Sequence, residues 1–164
     1  MKRLTPTPPA SILCAAVAWL CLVATPASAN DGLVIVASAH GATATADRFV
    51  AAAEAKGLTV FSRIDHAAGA KAAGLDLAPT ELIIFGAPKV GTALMRCDRA
   101  AGIDLPLKAL IWQDADGRAL LAYNDASWMA RRHDLGDCGA VLDKVSGALA
   151  ALAAEATAPD ASPD

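Results

Sequence analysis

The sequence predicts an α+β domain with a mostly antiparallel sheet and helices on one face, in the order β-α-β-β-β-β-α. Short apolar runs such as Leu33–Ala37 and Leu82–Phe85 have the length and composition of strands. An Asp-Gly pair at Asp116–Gly117 separates the last two runs, which predicts a hairpin and therefore antiparallel pairing. Two segments with helical spacing of apolar residues, one near each end, supply the helical layer.

The first 29 residues have the features of a cleaved signal peptide. Lys2 and Arg3 precede an apolar stretch, 11–23, that is shorter than the roughly 20 residues needed to span a bilayer. The small residues Ala27–Ala29 fit a cleavage site. We therefore expect an exported chain that begins at Asn30, is periplasmic or secreted, and has no membrane anchor after cleavage.

The charge balance disfavours nucleic acid and anionic membranes as partners. Lys2 and Arg3 are the only charged residues of the signal segment, so its removal changes the net charge from −3 to −5. Binding to either partner needs a basic face, and the largest basic cluster is Arg131–Arg132. The remaining length suits one domain, 30–156, followed by a tail, 157–164, that we expect to be disordered.

The first half of the domain is predicted to form strands around one helix. Thr43 can cap a helix that carries apolar residues at helical spacing and ends at Lys56–Gly57. Leu58–Asp65 then alternates in character, which predicts a strand with unlike faces. Leu82–Phe85 is a continuous apolar run, and this pattern indicates a strand that is covered on both faces and is therefore central.

The second half is predicted to contain a short helix, a hairpin and a terminal helix. The short helix begins near Thr92 and ends at Ala101–Gly102. Leu107–Gln113 and Arg118–Asn124 are the hairpin strands, and a long helix starts at Gly139.

Five blocks of the sequence carry a family resemblance. They are GLVIVASAH, KGLTVFSRIDHAAGA, PTELIIFGAPKVGTALM, GIDLPLKALIWQDADG and YND, which together span most of residues 32–133. On these blocks the chain resembles the bacterial domain of unknown function 302 family. The resemblance implies a TATA-binding-protein-like α+β fold, in agreement with the predicted element order, and it implies no settled activity.

The segment from Gly86 to Thr92 superficially resembles a phosphate-binding loop, because glycines follow a strand and precede a helix. It lacks the lysine that should follow the second glycine, and Lys89 lies inside the loop instead. We interpret the segment as a strand-to-helix turn, with weak anion binding at the helix N-terminus as the alternative, and expect no cofactor.

Four residues that flank strand ends form a candidate ligand-binding site: His66, Lys89, Lys108 and Tyr123. The adjacent Asp65 can orient and charge the His66 imidazole, although a histidine at a strand end is more often a hydrogen-bonded surface residue. Hairpin pairing brings Lys108 towards Tyr123, which suits a polar pocket and equally a solvated sheet face. We predict that the four side chains line one concavity.

The exported chain should contain two cysteines, which predicts a disulfide. Cleavage removes Cys14 and Cys21 and leaves Cys97 and Cys138. An oxidising compartment favours their pairing, which would tie the last helix to the centre of the chain. The alternatives are two inert thiols, or Cys97 with Met95 as soft metal ligands.

The sequence favours a non-catalytic envelope domain that binds a small molecule or another envelope protein. The three histidines do not fall at zinc-ligand spacings and no Gly-x-Ser-x-Gly motif occurs, so we assign no catalytic residue and no metal site. One alternative is a cofactor-free enzyme that uses His66 with Asp65. Another is a protein that handles a soft, copper-type metal through Met95, Cys97 and His133. The oligomeric state stays open, a homodimer included.

Overall fold

The structure, a computed structural model, describes residues 32–160 as one sheet with surrounding helices. The strands are β1 (Leu33–Ala37), β2 (Thr59–Asp65), β3 (Thr80–Gly86), β4 (Leu107–Gln113) and β5 (Ala119–Asn124). The helices are α1 (Ala42–Ala55), α2 (His66–Ala72), α3 (Pro88–Cys97), α4 (Ala126–Arg132) and α5 (Gly139–Thr157). Arg99–Ile103 and Gly136–Cys138 form 3₁₀ turns. The predicted signal peptide lies outside the described residues.

The five strands form a single antiparallel sheet in the order β1-β5-β4-β3-β2. This architecture confirms the predicted α+β class. β4 is the middle strand, and β3 is an interior strand between β4 and β2. The prediction that β3 is covered on both faces is wrong. Ile83 and Phe85 of β3 are fully buried, whereas Leu82 and Ile84 on the opposite face are only half-buried. The run is apolar on both faces, but α1 and α5 cover only one of them.

The main core lies between the sheet and the helix pair α1 and α5. Phe49 of α1 meets Phe85 of β3 edge to face, with ring centroids 5.0 Å apart. Leu121 from the sheet and Leu149 and Leu152 from α5 are also buried there. We call this cluster the sheet core.

Helix α1 is bounded by backbone geometry at both ends. Gly41 occupies the N-cap position, so the prediction that Thr43 caps this helix is wrong. The Thr45 hydroxyl donates to the Gly41 carbonyl at 2.9 Å. At the other end Gly57 adopts a φ of +72°, and the Leu58 amide donates to the Ala53 carbonyl at 3.0 Å. This is the Schellman arrangement that glycine permits.

Edge strand β2 is tied to α1 by ionic contacts. The Arg63 guanidinium donates to Glu81 of β3 and to Asp47 of α1. The hydrogen bonds to Glu81 and then Asp47 raise the pKa of Arg63 above its usual value. Because Glu81 is only 9% exposed, its charge needs this partner.

A second, smaller core lies beside the first. It contains Leu94, Ala101, Met129, Leu135 and Cys138, contributed by α3, α4, the 3₁₀ turns and the segment between them. We call it the crosslinked core, for reasons given below.

The C-terminal segment packs against the domain beyond the predicted boundary at 157. Thr157 ends α5 and is buried, and the Ala158 carbonyl lies 2.7 Å from Nε2 of His40. Residues 161–164 of the predicted tail lie outside the described residues. Within 32–160, no helix combines the length and the apolar character needed to cross a membrane.

Candidate functional site

A cavity of about 350 Å³ lies beside the end of β3 and the start of β4. Val90 and Leu94 of α3 form one wall, and Leu105 from the segment before β4 forms another. Phe61 closes the β2 side and Val145 of α5 lies behind them. Both the volume and the concave shape are typical of a small-molecule site.

The chemistry of this cavity is apolar. Within residues 32–160, its lining includes no ionisable side chain, and Thr92 is the one hydroxyl-bearing residue in it. Met95 also lines the cavity. Its sulfur packs so close to Gly102 that a Cβ added to that glycine would lie only 3.1 Å away. A thioether on a flexible chain adapts to ligands of irregular shape. The cavity therefore suits an uncharged apolar group with one polar atom.

A second cavity of about 240 Å³ continues from the first. The two share five lining residues: Gly86, Ala87, Val90, Leu107 and Val145. Lys144, which is exposed, is the one ionisable side chain that the described part of the chain contributes to the second cavity.

The helix that lines the cavity starts earlier than predicted. α3 begins at Pro88 rather than near Thr92, because proline has a helix-compatible φ and needs no hydrogen-bond acceptor for its nitrogen at the first helical position. Lys89 is therefore an exposed residue of the first helical turn, and the prediction that it lies in a loop is wrong. The resemblance to a phosphate loop is lost because Gly91 and Thr92 are helical.

A disulfide holds α3 in place. It joins Cys97 at the end of α3 to Cys138 just before α5, with Cα atoms 6.4 Å apart. This confirms the predicted pairing. Since it links one wall of the cavity to the helix behind it, it limits how far those walls can separate.

A buried histidine makes a second link to the same segment. Nε2 of His133 lies 2.6 Å from a carboxylate oxygen of Asp104, and Nδ1 lies 3.6 Å from one of Asp98. The His133 side chain is only 6% exposed. Arg132 also pairs with Asp104, at 3.1 Å. Both ring nitrogens thus face carboxylates that follow α3, so this cluster anchors the end of α4 to the cavity wall.

The soft-metal alternative, which used Met95, Cys97 and His133, loses its thiolate ligand in this arrangement. The Cys97 sulfur is bonded to Cys138 and is not a free thiolate. In residues 32–160 no group of three or more histidine, cysteine or carboxylate side chains could hold a metal ion.

The predicted dyad of His66 with Asp65 has another role. The Asp65 carboxylate accepts the Ala68 amide at 2.8 Å and caps α2. His66 is the exposed first residue of that helix. It lies beyond the end of β2, whereas the cavity lies at the opposite end of that strand.

The other three candidates are not brought together with His66 in one cleft. Tyr123 pairs directly with Ala109 and faces the sheet core, so the neighbouring Lys108 points to the opposite face. Nζ of Lys108 donates to the carbonyls of Asp104 and Pro106. The predicted shared concavity is therefore wrong, because strand alternation separates its members. Burial, and then the charge of Asp125, raise the pKa of Tyr123.

The comparisons with known proteins are consistent with this architecture. A solved structure, that of an uncharacterized conserved DUF302 protein from Bacillus stearothermophilus, matches with a TM-score of 0.69 over 76% of this chain and 98% of that chain. At 16% identity this likeness shows the fold alone.

Curated relatives match one part of their own length. Fluoride-specific ion channel FluC 1 of Brucella suis biovar 1 (strain 1330) is 52% identical over 107 residues, which is 65% of this chain and 42% of that protein. The corresponding protein of Brucella abortus biovar 1 (strain 9-941) is also 52% identical over 107 residues, 40% of its length. The chain thus spans about two fifths of these relatives, and the rest of each lies outside the similarity.

The family model agrees with the solved structure. Residues 34–152, well over half of the chain, match the model described as domain of unknown function DUF302. The chain therefore belongs to the DUF302 family.

Proposed function

We propose that this domain is a non-catalytic binding module of the cell envelope that takes a small, mainly apolar ligand in the cavity between α3, the start of β4 and α5. The observation that carries the proposal is the cavity itself, about 350 Å³ lined by apolar side chains and extended by a second of about 240 Å³. Ligand pockets of this kind use apolar surface for affinity and a few polar groups for orientation.

The rigidity of the cavity walls supports a binding role. α3 is held by the Cys97–Cys138 disulfide, and the turn after it is held by His133 through Asp98 and Asp104. A pocket whose walls are fixed before the ligand arrives loses less conformational entropy on binding. Two separate links to the same wall are consistent with this requirement.

The enzyme alternative has weaker support. General acid–base catalysis needs a titratable group within hydrogen-bond reach of the substrate. Among the described residues, the lining of the first cavity has none and that of the second has only the exposed Lys144, while the Asp65 carboxylate is used to cap α2.

Export to the periplasm or outside the cell belongs to the same proposal. Its support is the signal-like segment that ends at Ala29 and the disulfide, a bond that persists in oxidising compartments. The intact mass of the protein recovered from the envelope fraction should correspond to a chain beginning at Asn30. A mass that includes residues 1–29 would contradict export.

The binding proposal is tested by filling the cavity from α3. Gly91 lines it, and a Cβ added there would lie at an ordinary contact distance of 3.7 Å from Leu105, so Gly91→Met adds a flexible side chain to this wall. We expect the purified wild-type protein to enhance the fluorescence of N-phenyl-1-naphthylamine, a neutral apolar probe. Gly91→Met should weaken this binding at least tenfold, measured by fluorescence titration.

Gly147→Met is the matched control. Gly147 is exposed in α5 with open space around it, so the same substitution leaves the cavity unchanged. Both variants should gain stability, by about 0.5–1 kcal/mol, because methionine favours a helix over glycine. Probe binding that is equal in the two variants, or no binding by the wild type, would contradict the proposal.

A further inference from the structure

The face of the sheet opposite α1 and α5 carries a continuous apolar row. In the register of the sheet Ile35 pairs with Ala122, Ala122 with Leu110, Leu110 with Leu82, and Leu82 with Ile64. Directly paired residues share a face, so these five side chains cross the whole sheet from edge to edge. We call them the open-face row. None of the five belongs to either core, although Ala122 in the middle of the row is only 1% exposed.

The helix-covered face has a different pattern. Two of its rows are apolar in the middle but become charged towards β2: one ends in Arg63, and the other passes through Glu81 of β3 to Asp65. A sheet with a solvated face normally alternates between apolar and polar residues. In this sheet the face without the helices α1 and α5 has a middle row that stays apolar as far as both edge strands. The residues at its two ends, Ile35 and Ile64, are 41% and 38% exposed. This pattern is typical of a sheet that is covered on both sides.

The charge on this face suits a second copy of the same chain. Two identical surfaces that meet around a twofold axis must avoid like-charge contacts. Lys108 is the one charged residue in the rows that flank the open-face row, and its Nζ is bound to the carbonyls of Asp104 and Pro106. These carbonyls leave the charge of Lys108 in place, but Lys108 lies two residues to one side of the open-face row. A twofold axis that runs along the row places the two Lys108 side chains on opposite sides of it, so that the like charges do not face each other.

The size of the face is sufficient for a dimer. Five strands about 4.8 Å apart, each of five to seven residues, make a surface of roughly 20 by 20 Å. Face-to-face packing of two copies would remove on the order of 1,000 Å² of accessible surface in total, the lower limit for a specific interface. We propose that this protein forms a homodimer by packing the open faces of two sheets together, as in a β-sandwich.

The experiment uses protein produced from the full-length chain and purified after any processing. Multi-angle light scattering and sedimentation velocity should give twice the mass of one chain for the wild type. Ile35→Glu and Ile64→Glu place a carboxylate at opposite ends of the open-face row. Each should raise the dimer dissociation constant at least tenfold, because the interface would bury an unpaired charge.

Ile103→Glu is the matched control. Ile103 is 71% exposed and lies in a 3₁₀ turn outside the sheet, so this variant should remain dimeric. Circular dichroism checks folding, which all three exposed positions should tolerate. A wild type that is monomeric at about 100 µM would overturn the proposal. So would a dimer that only one of the two row variants weakens, since that result indicates pairing at one edge strand.

Discussion

The two cores of this domain are held together in different ways. The sheet core is large and continuous, and it joins α1, α5 and the sheet through fully buried side chains such as Phe49 and Leu121. The crosslinked core has only five buried residues, and its segments are also joined by a disulfide and by the His133 contacts. Small apolar clusters contribute little free energy of burial, so covalent and polar links take a larger share there.

The cavity lies where the two cores meet. Val145 belongs to the sheet core and Leu94 to the crosslinked core, and both line the cavity. The wall at Val145 is thus held in place by burial of apolar side chains, and the wall at Leu94 by the disulfide and the His133 contacts. The difference predicts that substitutions in the sheet core unfold the domain, whereas loss of the crosslinks acts on α3 and on ligand binding.

The largest effect is expected from Phe49→Ala in the sheet core. Phe49 is fully buried and packs on Phe85, so truncation leaves a cavity and should lower the free energy of unfolding by about 3–5 kcal/mol. Urea denaturation followed by circular dichroism measures the loss. The control is Phe61→Ala, because Phe61 is 50% exposed and should cost less than about 1 kcal/mol. Similar losses in the two variants would contradict the comparison.

A slightly smaller effect is expected from removing the disulfide. Cys97→Ser with Cys138→Ser opens a loop with a sequence separation of 41 and should lower the free energy of unfolding by roughly 3–4 kcal/mol. Amide hydrogen exchange should rise first in α3 and in Arg99–Ile103, while α1 keeps its protection. Reduction of the wild type with a phosphine should reproduce the pattern. Uniform loss of protection would show that the two cores unfold as one unit.

Much of the fold could be predicted from sequence because its signals are local. The bounds of β1 and β4 and the start of α5 agree with the predictions made from apolar runs and Gly139. The disulfide followed from counting the cysteines that remain after signal cleavage. The predicted start of α3, near Thr92, lies after the observed start at Pro88, because the glycines near Pro88 are typical of a loop. Proline at a first helical position is the sequence signal that indicates the earlier start.

The site could not be predicted because it depends on packing between distant segments. The cavity brings Phe61 of β2 to Leu105 and Val145, and apolar residues of this kind carry no motif. The predicted site used charged and aromatic residues at strand ends instead. Whether Lys108 and Tyr123 share a face depends on one residue of register, which the sequence pattern of β4 and β5 does not reveal.

The smallest expected effect concerns the acid sensitivity of the crosslinked core. The Asp125 carboxylate caps α4, accepting the Ser127 amide at 3.0 Å and the Ser127 hydroxyl at 2.6 Å. These hydrogen bonds, the one from the hydroxyl first, lower the pKa of Asp125 below its usual value. Because the folded-state pKa is the lower one, the ionised cap stabilises fully above the unfolded pKa of about 3.9, and this contribution is lost as the pH falls through the folded-state value.

Asp125→Asn keeps a side chain that can cap the helix but replaces the ionisable carboxylate with an amide that does not change charge with pH. Between pH 7 and pH 3 we therefore expect the wild type to lose more stability than the variant, by about 1 kcal/mol or less. Urea unfolding at a series of pH values measures the difference, and hydrogen exchange in α4 locates it. α4 contributes Met129 to the crosslinked core, whereas α1 belongs to the sheet core. The acid-dependent loss of hydrogen-exchange protection should therefore be seen in α4 before α1. Parallel pH profiles for the two proteins would exclude the ionised cap as a source of stability.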